Sequence, residues 1–160
     1  MKKIAQKTLD DLEFGVILEQ TAARCATDSG KLQMLSTEPF TSLRAVQGAL
    51  NRTNEYLLSF SEEKQMPNHG FEGVSKEISL LSIENSKIEV EGFRKLLLLA
   101  DTANKLLVFL KKNKDRYPNL NEASGGLAPV KEIPTEITRI IDKFGEVKDR
   151  ASDQLYSIRR

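Results

Sequence analysis

The stretch that decides the fold is residues 93–110, F-R-K-L-L-L-L-A-D-T-A-N-K-L-L-V-F-L. Its apolar side chains recur three and four residues apart, as they do on one face of an α-helix. That face carries Phe93, Leu96, Leu97, Ala100, Ala103, Leu107 and Leu110, and it is widened by Leu99, Leu106 and Phe109. Only a thin polar stripe remains, through Arg94, Asp101, Lys105 and Lys112. Because so broad an apolar arc needs neighbours on most sides, the stretch predicts the most buried helix of an all-α domain.

A second strong helical pattern precedes it, beginning at a cap formed by Thr41 or Ser42. Its apolar positions alternate three and four apart in a heptad-like seam: Leu43, Val46, Leu50, Thr53, Leu57 and Phe60. A seam this short usually packs inside its own domain, so we expect it to lie against residues 93–110. The alternative is a stripe that binds a partner helix.

Shorter patterns fill the rest of the chain. We expect helices over 14–25, around 32–35, over 75–83, and over 133–141 with Pro134 in the first turn. The first should bury a face that includes Ile17, and the last should bury Ile133, Ile137, Ile140 and Ile141. Tyr117-Pro118 is expected to break the chain. Loops are expected at 64–73 and 121–129, where glycine, proline and asparagine cluster. No convincing alternating strand appears. The chain therefore predicts an antiparallel helical bundle of five or six helices with short connections.

Composition sets limits on function. The chain has 160 residues, enough for one domain with a real core. Its net charge of +1 is too balanced to suggest that this chain by itself binds a phosphate backbone. One cysteine excludes an internal disulfide and fits a reducing compartment. Lys2 and Lys3 are not followed by an apolar run, so we expect no signal peptide or membrane span and a cytoplasmic location.

The sequence contains no recognisable catalytic, phosphate-binding or metal-binding motif. Cys25 lies on an apolar helix face, and His69 is the only histidine, so neither suggests a nucleophile or a metal site. Ser29-Gly30-Lys31 lacks the upstream glycine of a phosphate-binding loop. The neighbouring carboxylates are expected to be solvated or to cap helices: Asp10-Asp11, Glu62-Glu63, and Glu89 with Glu91. The basic run Lys111, Lys112, Lys114 and Arg116 suits a helix C-terminus better than a nucleic-acid patch. We assign no catalytic, cofactor-binding or metal-binding residue.

The last twenty residues have their own pattern. Residues 142–145 read as a turn closed by Gly145, and 146–148 as a short extended piece. Ser152 is a good N-cap, with Asp153 where the helix dipole favours an anion. Leu155 and Ile158 then give the first repeat of an apolar stripe. The pattern predicts a helix that starts after Ser152 and has completed only its first turns at residue 160.

Three segments carry a family resemblance. They are K-T-L-D-D-L-E-F-G-V-I-L-E-Q at 7–20, S-G-K at 29–31, and I-D-K-F-G-E-V-K-D-R-A-S-D-Q-L-Y-S-I-R-R at 141–160. The chain resembles the helical core domain of MutS-type proteins, and more closely the second bacterial branch, whose core begins almost at the initiator Met. The most specific part is G-E-V-x-D-x-A-S-x-x-L-x-x-I-R, matched from Gly145 to Arg159. Phe144 departs from the usual acidic or polar turn residue, and Glu89 stands where Ser or Thr would cap the core helix better.

The resemblance implies more for a longer protein than for these residues. It implies residues 1–150 as a core domain and 151–160 as the start of a lever helix. It also implies a dimeric DNA-binding ATPase that usually carries a C-terminal Smr nuclease domain. Such proteins act on branched or structured DNA in control of recombination and repair, and in some bacteria in ribosome rescue. ATP and Mg would be held beyond residue 160, so this chain should itself neither hydrolyse ATP nor cut DNA. The alternative is a stand-alone helical protein–protein interaction module.

Overall fold

The fold is described by a computed structural model, which covers residues 4–61, 65–142 and 144–159. Within these ranges the helices are α1 (Gln6–Asp11), α2 (Phe14–Ala22), α3 (Asp28–Leu35), α4 (Leu43–Leu58), α5 (Ser75–Leu81), α6 (Val90–Lys112), α7 (Pro118–Ala123), α8 (Glu132–Ile140) and α9 (Asp153–Ile158). The expectations that concern Lys2, Lys3, Glu62-Glu63, Lys64, Lys143 and Arg160 lie outside the described residues.

The all-α prediction is confirmed, with one isolated antiparallel bridge between Ile141 and Val147 in the described residues. There are more helical segments than the five or six expected. One reason is Glu13, whose left-handed backbone (φ 54°) separates α1 from α2. A second reason is α7, discussed below. None of the helices in the described part is long and apolar enough to cross a membrane.

The helix α6 contacts three other helices, but its buried residues are Gly92 and Thr102, and none of the leucines of residues 93–110 is fully buried. Leu97 and Leu107 are half-buried, and α5, α7 and α8 all pack against this helix. Close approach of α5 depends on Gly92, since a Cβ there would lie 2.8 Å from Ile88 Cγ2 and 2.9 Å from Glu77 Cγ. Asn104 fixes the loop before α8, because its side-chain amide donates to Val130 O and accepts from Val130 N, both at 2.8 Å. The C-terminal half of the chain is therefore organised around α6.

The expected packing of the α4 seam against α6 is wrong. Ser42 caps α4 as predicted, with its hydroxyl accepting from Ala45 N, but α4 contacts α7 rather than α6. The seam faces outward: Leu43 is 83% exposed and Leu50 58%. The inward face instead carries Glu55 and Ser59, both buried. Periodicity shows which side of a helix is apolar, but it does not show whether another segment of these 160 residues packs against that side.

The loop predicted at 121–129 is wrong in its first three residues, because α7 extends to Ala123. Pro118 occupies the first helical position, where its missing N–H costs nothing. Tyr117, just before it, is 1% exposed and stacks on Phe109 with 5.8 Å between ring centroids. Glu55 then supplies the acceptor for the free N–H groups of α7, as described in the next subsection. A six-residue helix therefore forms where the sequence alone suggests a break.

The buried sides of the remaining helices are only partly as expected. Ile137 and Ile141 are buried on α8 and just after it, whereas Ile133 is 44% exposed. At the N-terminal end, Thr27 caps α3, and α2 contacts both α1 and α3. Ala22 is the buried residue of α2, while Ile17, expected on its inner face, is 56% exposed. These short helices leave much apolar surface open.

Candidate functional surfaces

The two residues with the most reactive side-chain types have structural roles. His69 Nδ1 lies 3.0 Å from Pro67 O and Nε2 lies 3.0 Å from the Tyr56 hydroxyl. Since a carbonyl oxygen only accepts, Nδ1 is the donor to Pro67 O, and in the neutral ring Nε2 then accepts from the Tyr56 hydroxyl. Cys25 is half-buried and directs its thiol at Thr21 O, 3.7 Å away. Over the described residues, no group of three or more His, Cys, Asp or Glu side chains is arranged to hold a metal ion.

A buried carboxylate joins α4 to α7. Glu55 is 7% exposed and accepts three hydrogen bonds from residues 64 and 65 positions further along the chain. Its Oε1 accepts from Asn119 N at 2.9 Å and from Asn119 Nδ2 at 2.5 Å, and its Oε2 accepts from Leu120 N at 2.8 Å. The negative charge also lies at the N-terminal end of α7, where the helix dipole favours it. Glu55 therefore fixes the position of α7 on α4. Sequence reasoning missed this role, because nothing local marks a long-range cap.

The same two helices enclose an open cleft of about 710 Å³, which we call the arginine cleft. Its α4 wall contains Arg44, Gly48, Asn51 and Arg52, and its α7 wall contains Glu122. Phe40, which is 50% exposed, lines the end that precedes α4. Arg44 and Arg52 are exposed and Asn51 is half-buried, and the sequence gives no reason to expect a concave surface there. The i, i+4, i+8 spacing of Arg44, Gly48 and Arg52 was the only available signal.

The α4 seam is a second open surface. Leu57 and Phe60 continue the exposed line at 61% and 57%, so the seam runs along the whole helix. Of its six residues only Val46 is half-buried. Tyr56 packs edge-on against Phe60, with 5.0 Å between the ring centroids, which holds the ring at the end of the seam. An exposed apolar line of this length marks a surface that another element normally covers.

The turn before α9 is built as predicted where the structure describes it. Gly145 has φ +86°, and the backbone N–H groups of Phe144 and Glu146 donate to Asp142 Oδ1 at 2.8 and 2.9 Å. The N–H of Glu146 is the main cause that holds the pKa of Asp142 below its ordinary value. Lys148 N donates to Ile140 O at 2.9 Å, and Lys148 Nζ donates to Thr138 O. The turn is therefore tied to the end of α8.

The start of α9 also follows the sequence pattern. Ser152 accepts from Leu155 N at 3.2 Å, so it is the N-cap. Arg159 is exposed, and its Nη1 donates to Asp149 Oδ1 at 2.8 Å and to Val147 O at 3.0 Å. Leu155 is half-buried, but Ile158 is 79% exposed. Of the two apolar side chains of this six-residue helix only Leu155 is partly covered, while Arg159 binds residues before the helix. The continuation of α9 as a lever stays a prediction.

The basic run at the end of α6 is only partly in the helix, since Lys114 and Arg116 follow its last residue. Lys111 and Lys112 lie exposed in the last turn, where cations oppose the helix dipole. Near the other end of α6, Lys95 Nζ lies 2.8 Å from Glu72 Oε2. The hydrogen bond and charge of Glu72 raise the pKa of Lys95 above its ordinary value. This ion pair ties the loop before α5 to α6.

Comparison with known proteins supports the resemblance drawn from the sequence. The chain is 28% identical over 156 residues to the protein named Endonuclease MutS2 of Clostridium beijerinckii, covering 97% of this chain and 20% of that protein. It is 30% identical over 158 residues to Endonuclease MutS2 of Symbiobacterium thermophilum, covering 97% of this chain and 19% of that protein. The chain thus spans about one fifth of the length of these relatives.

Two other comparisons add nothing. No family model matches the chain. No solved structure matches it either. The relatives themselves confirm the resemblance drawn from the sequence: nearly the whole of this chain is similar to a segment that makes up about one fifth of the length of proteins named Endonuclease MutS2.

Proposed function

We propose that the chain is a structural core segment of a longer MutS-type DNA-binding ATPase. In this role it connects the ATPase to the DNA clamp and relays the ATP state between them. ATP and Mg are held by other parts of the longer protein, and these 160 residues hold no cofactor. Branched or structured DNA is bound through those other parts, in a homodimer located in the cytoplasm. The proposed process is control of recombination and repair, with ribosome rescue as a further role in some bacteria.

The observation that carries the proposal is the outward-facing α4 seam. Burying a leucine fully stabilises a fold by about 1.5–3 kcal/mol relative to leaving it exposed. Leu43, Leu50 and Leu57 all stay more than half exposed, so the chain alone forgoes much of that stabilisation. The inward side of α4 is already committed to α7 through Glu55. A helix that packs through its polar face and exposes its apolar one suits a layer between two parts of a larger protein.

The turn before α9 supports a relay. Arg159 ties the end of α9 to Asp149 and Val147, and Lys148 ties this region to α8. Arg94 of α6 lies across Gly145 so closely that a Cβ on Gly145 would be 2.6 Å from Arg94 Cδ. A displacement of α9 would therefore reach both α8 and α6 through short contacts. This supports the division into a core at 1–150 and the root of a lever helix at 151–160.

The proposal is tested in the longer protein that contains this chain. Leu50→Ser combined with Leu57→Ser should leave ATP hydrolysis without DNA unchanged and abolish its response to DNA, because the coupling between the two sites is lost. Leu12→Ser combined with Leu32→Ser is the matched control, since both leucines are at least as exposed but lie outside α4. An unchanged DNA response in the seam variant would refute the relay.

The same seam favours one alternative, a stand-alone helical module that binds a protein partner. The two functions differ in the reading frame after residue 160. A phosphate-binding loop of the G-x-x-x-x-G-K-[ST] type downstream supports the core segment. A stop codon directly after Arg160 would exclude the core segment and leave the module.

A further inference from the structure

We propose that the arginine cleft binds a short segment of single-stranded nucleic acid, with its phosphates on Arg44 and Arg52 and one base stacked on Phe40. This goes beyond the proposed core function, because it gives these residues a direct contact with nucleic acid that needs no other part of a longer protein. The inference rests on the cleft itself, on the free hydrogen-bonding groups of its α4 wall, and on the aromatic ring at its end.

The two arginines have their charges free for a ligand. Arg94, Arg139 and Arg159 each pair with a carboxylate, and Arg150 lies over the Tyr156 ring. Arg24, Arg44 and Arg52 have no hydrogen bond or ion pair with any residue that the structure describes. Of these, Arg44 and Arg52 line the cleft, and Glu122 across it does not reach them. Two guanidinium groups that line one concave surface without a carboxylate partner favour an anion, because arginine forms bidentate bonds to phosphate.

The spacing suits a chain of phosphates better than one ion. Eight residues of α-helix rise about 12 Å, which is the separation of the two backbone positions along α4. In one nucleic-acid strand with a rise of about 3.4 Å per nucleotide, that distance corresponds to phosphates about three to four nucleotides apart. Gly48 lies between the arginines, and a Cβ there would be 3.5 Å from Arg52 Nη1, so the Arg52 guanidinium covers this part of the wall.

The polar groups beside the arginines can meet a base. Gln47 Nε2 donates to Asn51 Oδ1 at 2.9 Å, which leaves Gln47 Oε1 as an acceptor and Asn51 Nδ2 as a donor in the cleft. Glu122 places the one carboxylate on the α7 wall, opposite the arginines. It disfavours phosphates on that side and offers an acceptor to a base amino group. The cleft therefore has a phosphate side and a base side.

The exposed ring of Phe40 favours single-stranded nucleic acid over a duplex as the ligand of the cleft. Its ring is half exposed at the end of the cleft and offers a face on which a base can stack. Bases inside a duplex are already stacked on one another, whereas single strands can splay a base onto an aromatic ring. A net charge of +1 means that the whole molecule adds little attraction, so the binding is local and sensitive to salt.

The experiment uses fluorescence anisotropy with the 160-residue chain and three labelled probes of about 12 units, a length within the range of known single-strand sites. The probes are oligothymidylate, an abasic strand of equal charge, and a duplex. We expect oligothymidylate to bind most tightly. Arg44→Gln and Arg52→Gln should each weaken binding severalfold and lower the logarithmic salt slope by about 0.7, the contribution of one single-strand phosphate contact.

Phe40→Leu separates stacking from charge. It should weaken oligothymidylate binding by about fivefold or more, since a stacked base contributes that much, and leave the abasic strand unaffected. Arg24→Gln and Phe60→Leu are the matched controls, because both side chains are exposed and lie outside the cleft. Circular dichroism confirms that each variant keeps its helicity.

Three results would overturn the proposal. The first is no binding of oligothymidylate at the lowest salt concentration. The second is an equal loss in Arg24→Gln and in the cleft variants, which would show diffuse electrostatics instead of a site. The third is equal affinity for the duplex together with no effect of Phe40→Leu. None of these results bears on the ATP relay, which is tested through the seam.

Discussion

Glu55 offers the sharpest test of how this fold is held together. Its two carboxylate oxygens accept three hydrogen bonds from Asn119 and Leu120, and the residue is 7% exposed. In Glu55→Gln the amide oxygen can still accept from Asn119. The amide nitrogen then faces the N–H of Leu120, so two donors meet where a charged acceptor stood. Since a hydrogen bond to a charged group contributes about 1.5–3 kcal/mol, we expect a loss of stability in that range.

The truncation Glu55→Ala should lower the free energy of unfolding by more, about 3–5 kcal/mol, because it leaves all three donors without an acceptor and opens space between α4 and α7. Urea unfolding followed by circular dichroism gives both values from the shift of the midpoint at constant slope. Glu19→Gln is the matched control, since Glu19 is exposed on α2 and has no side-chain bond in the described structure, and such changes stay within about 0.5 kcal/mol. If Glu55→Gln is no worse than Glu19→Gln, the bridge between α4 and α7 does not hold the fold together.

Four further predictions concern packing, pH and the C-terminus. Gly145→Ala should lose about 1–2 kcal/mol in the same urea assay, because φ is +86° there and Arg94 blocks a Cβ; an unchanged midpoint would contradict the turn geometry. Leu97→Ala should lose about 1–3 kcal/mol, below the about 2–5 expected of a fully enclosed leucine, and more than Leu98→Ala, which is 50% exposed; equal losses would contradict the orientation of α6. Because the pKa of Asp142 is lower in the folded state, its ionised carboxylate stabilises the fold above the ordinary value of 3.8, and this stabilisation is lost as the pH falls through the folded pKa. The stability of Asp142→Asn should therefore fall less steeply with pH between those two values than that of the parent protein. Adding the next ~30 native residues should raise helicity by nearly the added length, because a six-residue helix lies below the ~12–15 residues at which isolated helices become marginally stable; no gain would contradict the lever.

The sequence by itself determined most of the local structure. The Ser42 and Ser152 caps, the breadth of the α6 apolar arc and the turn at Gly145 all appear as predicted, because each depends on residues within a few positions of one another. The family resemblance was also within reach of sequence, since it depends on the order of residues in the segment that ends at Arg159. These features can be predicted because their physical causes lie in residues that are close together in the sequence.

Only the tertiary structure decided which surfaces meet. Glu55 and Asn119 are 64 positions apart, and no periodicity could show that a carboxylate in α4 would cap α7 and so turn the apolar seam outward. The arginine cleft exists because that contact holds two helices side by side, although its arginines are visible in the sequence. Burial and concavity depend on which segments become neighbours in space, and this is set by the sum of long-range contacts rather than by the pattern of any one helix.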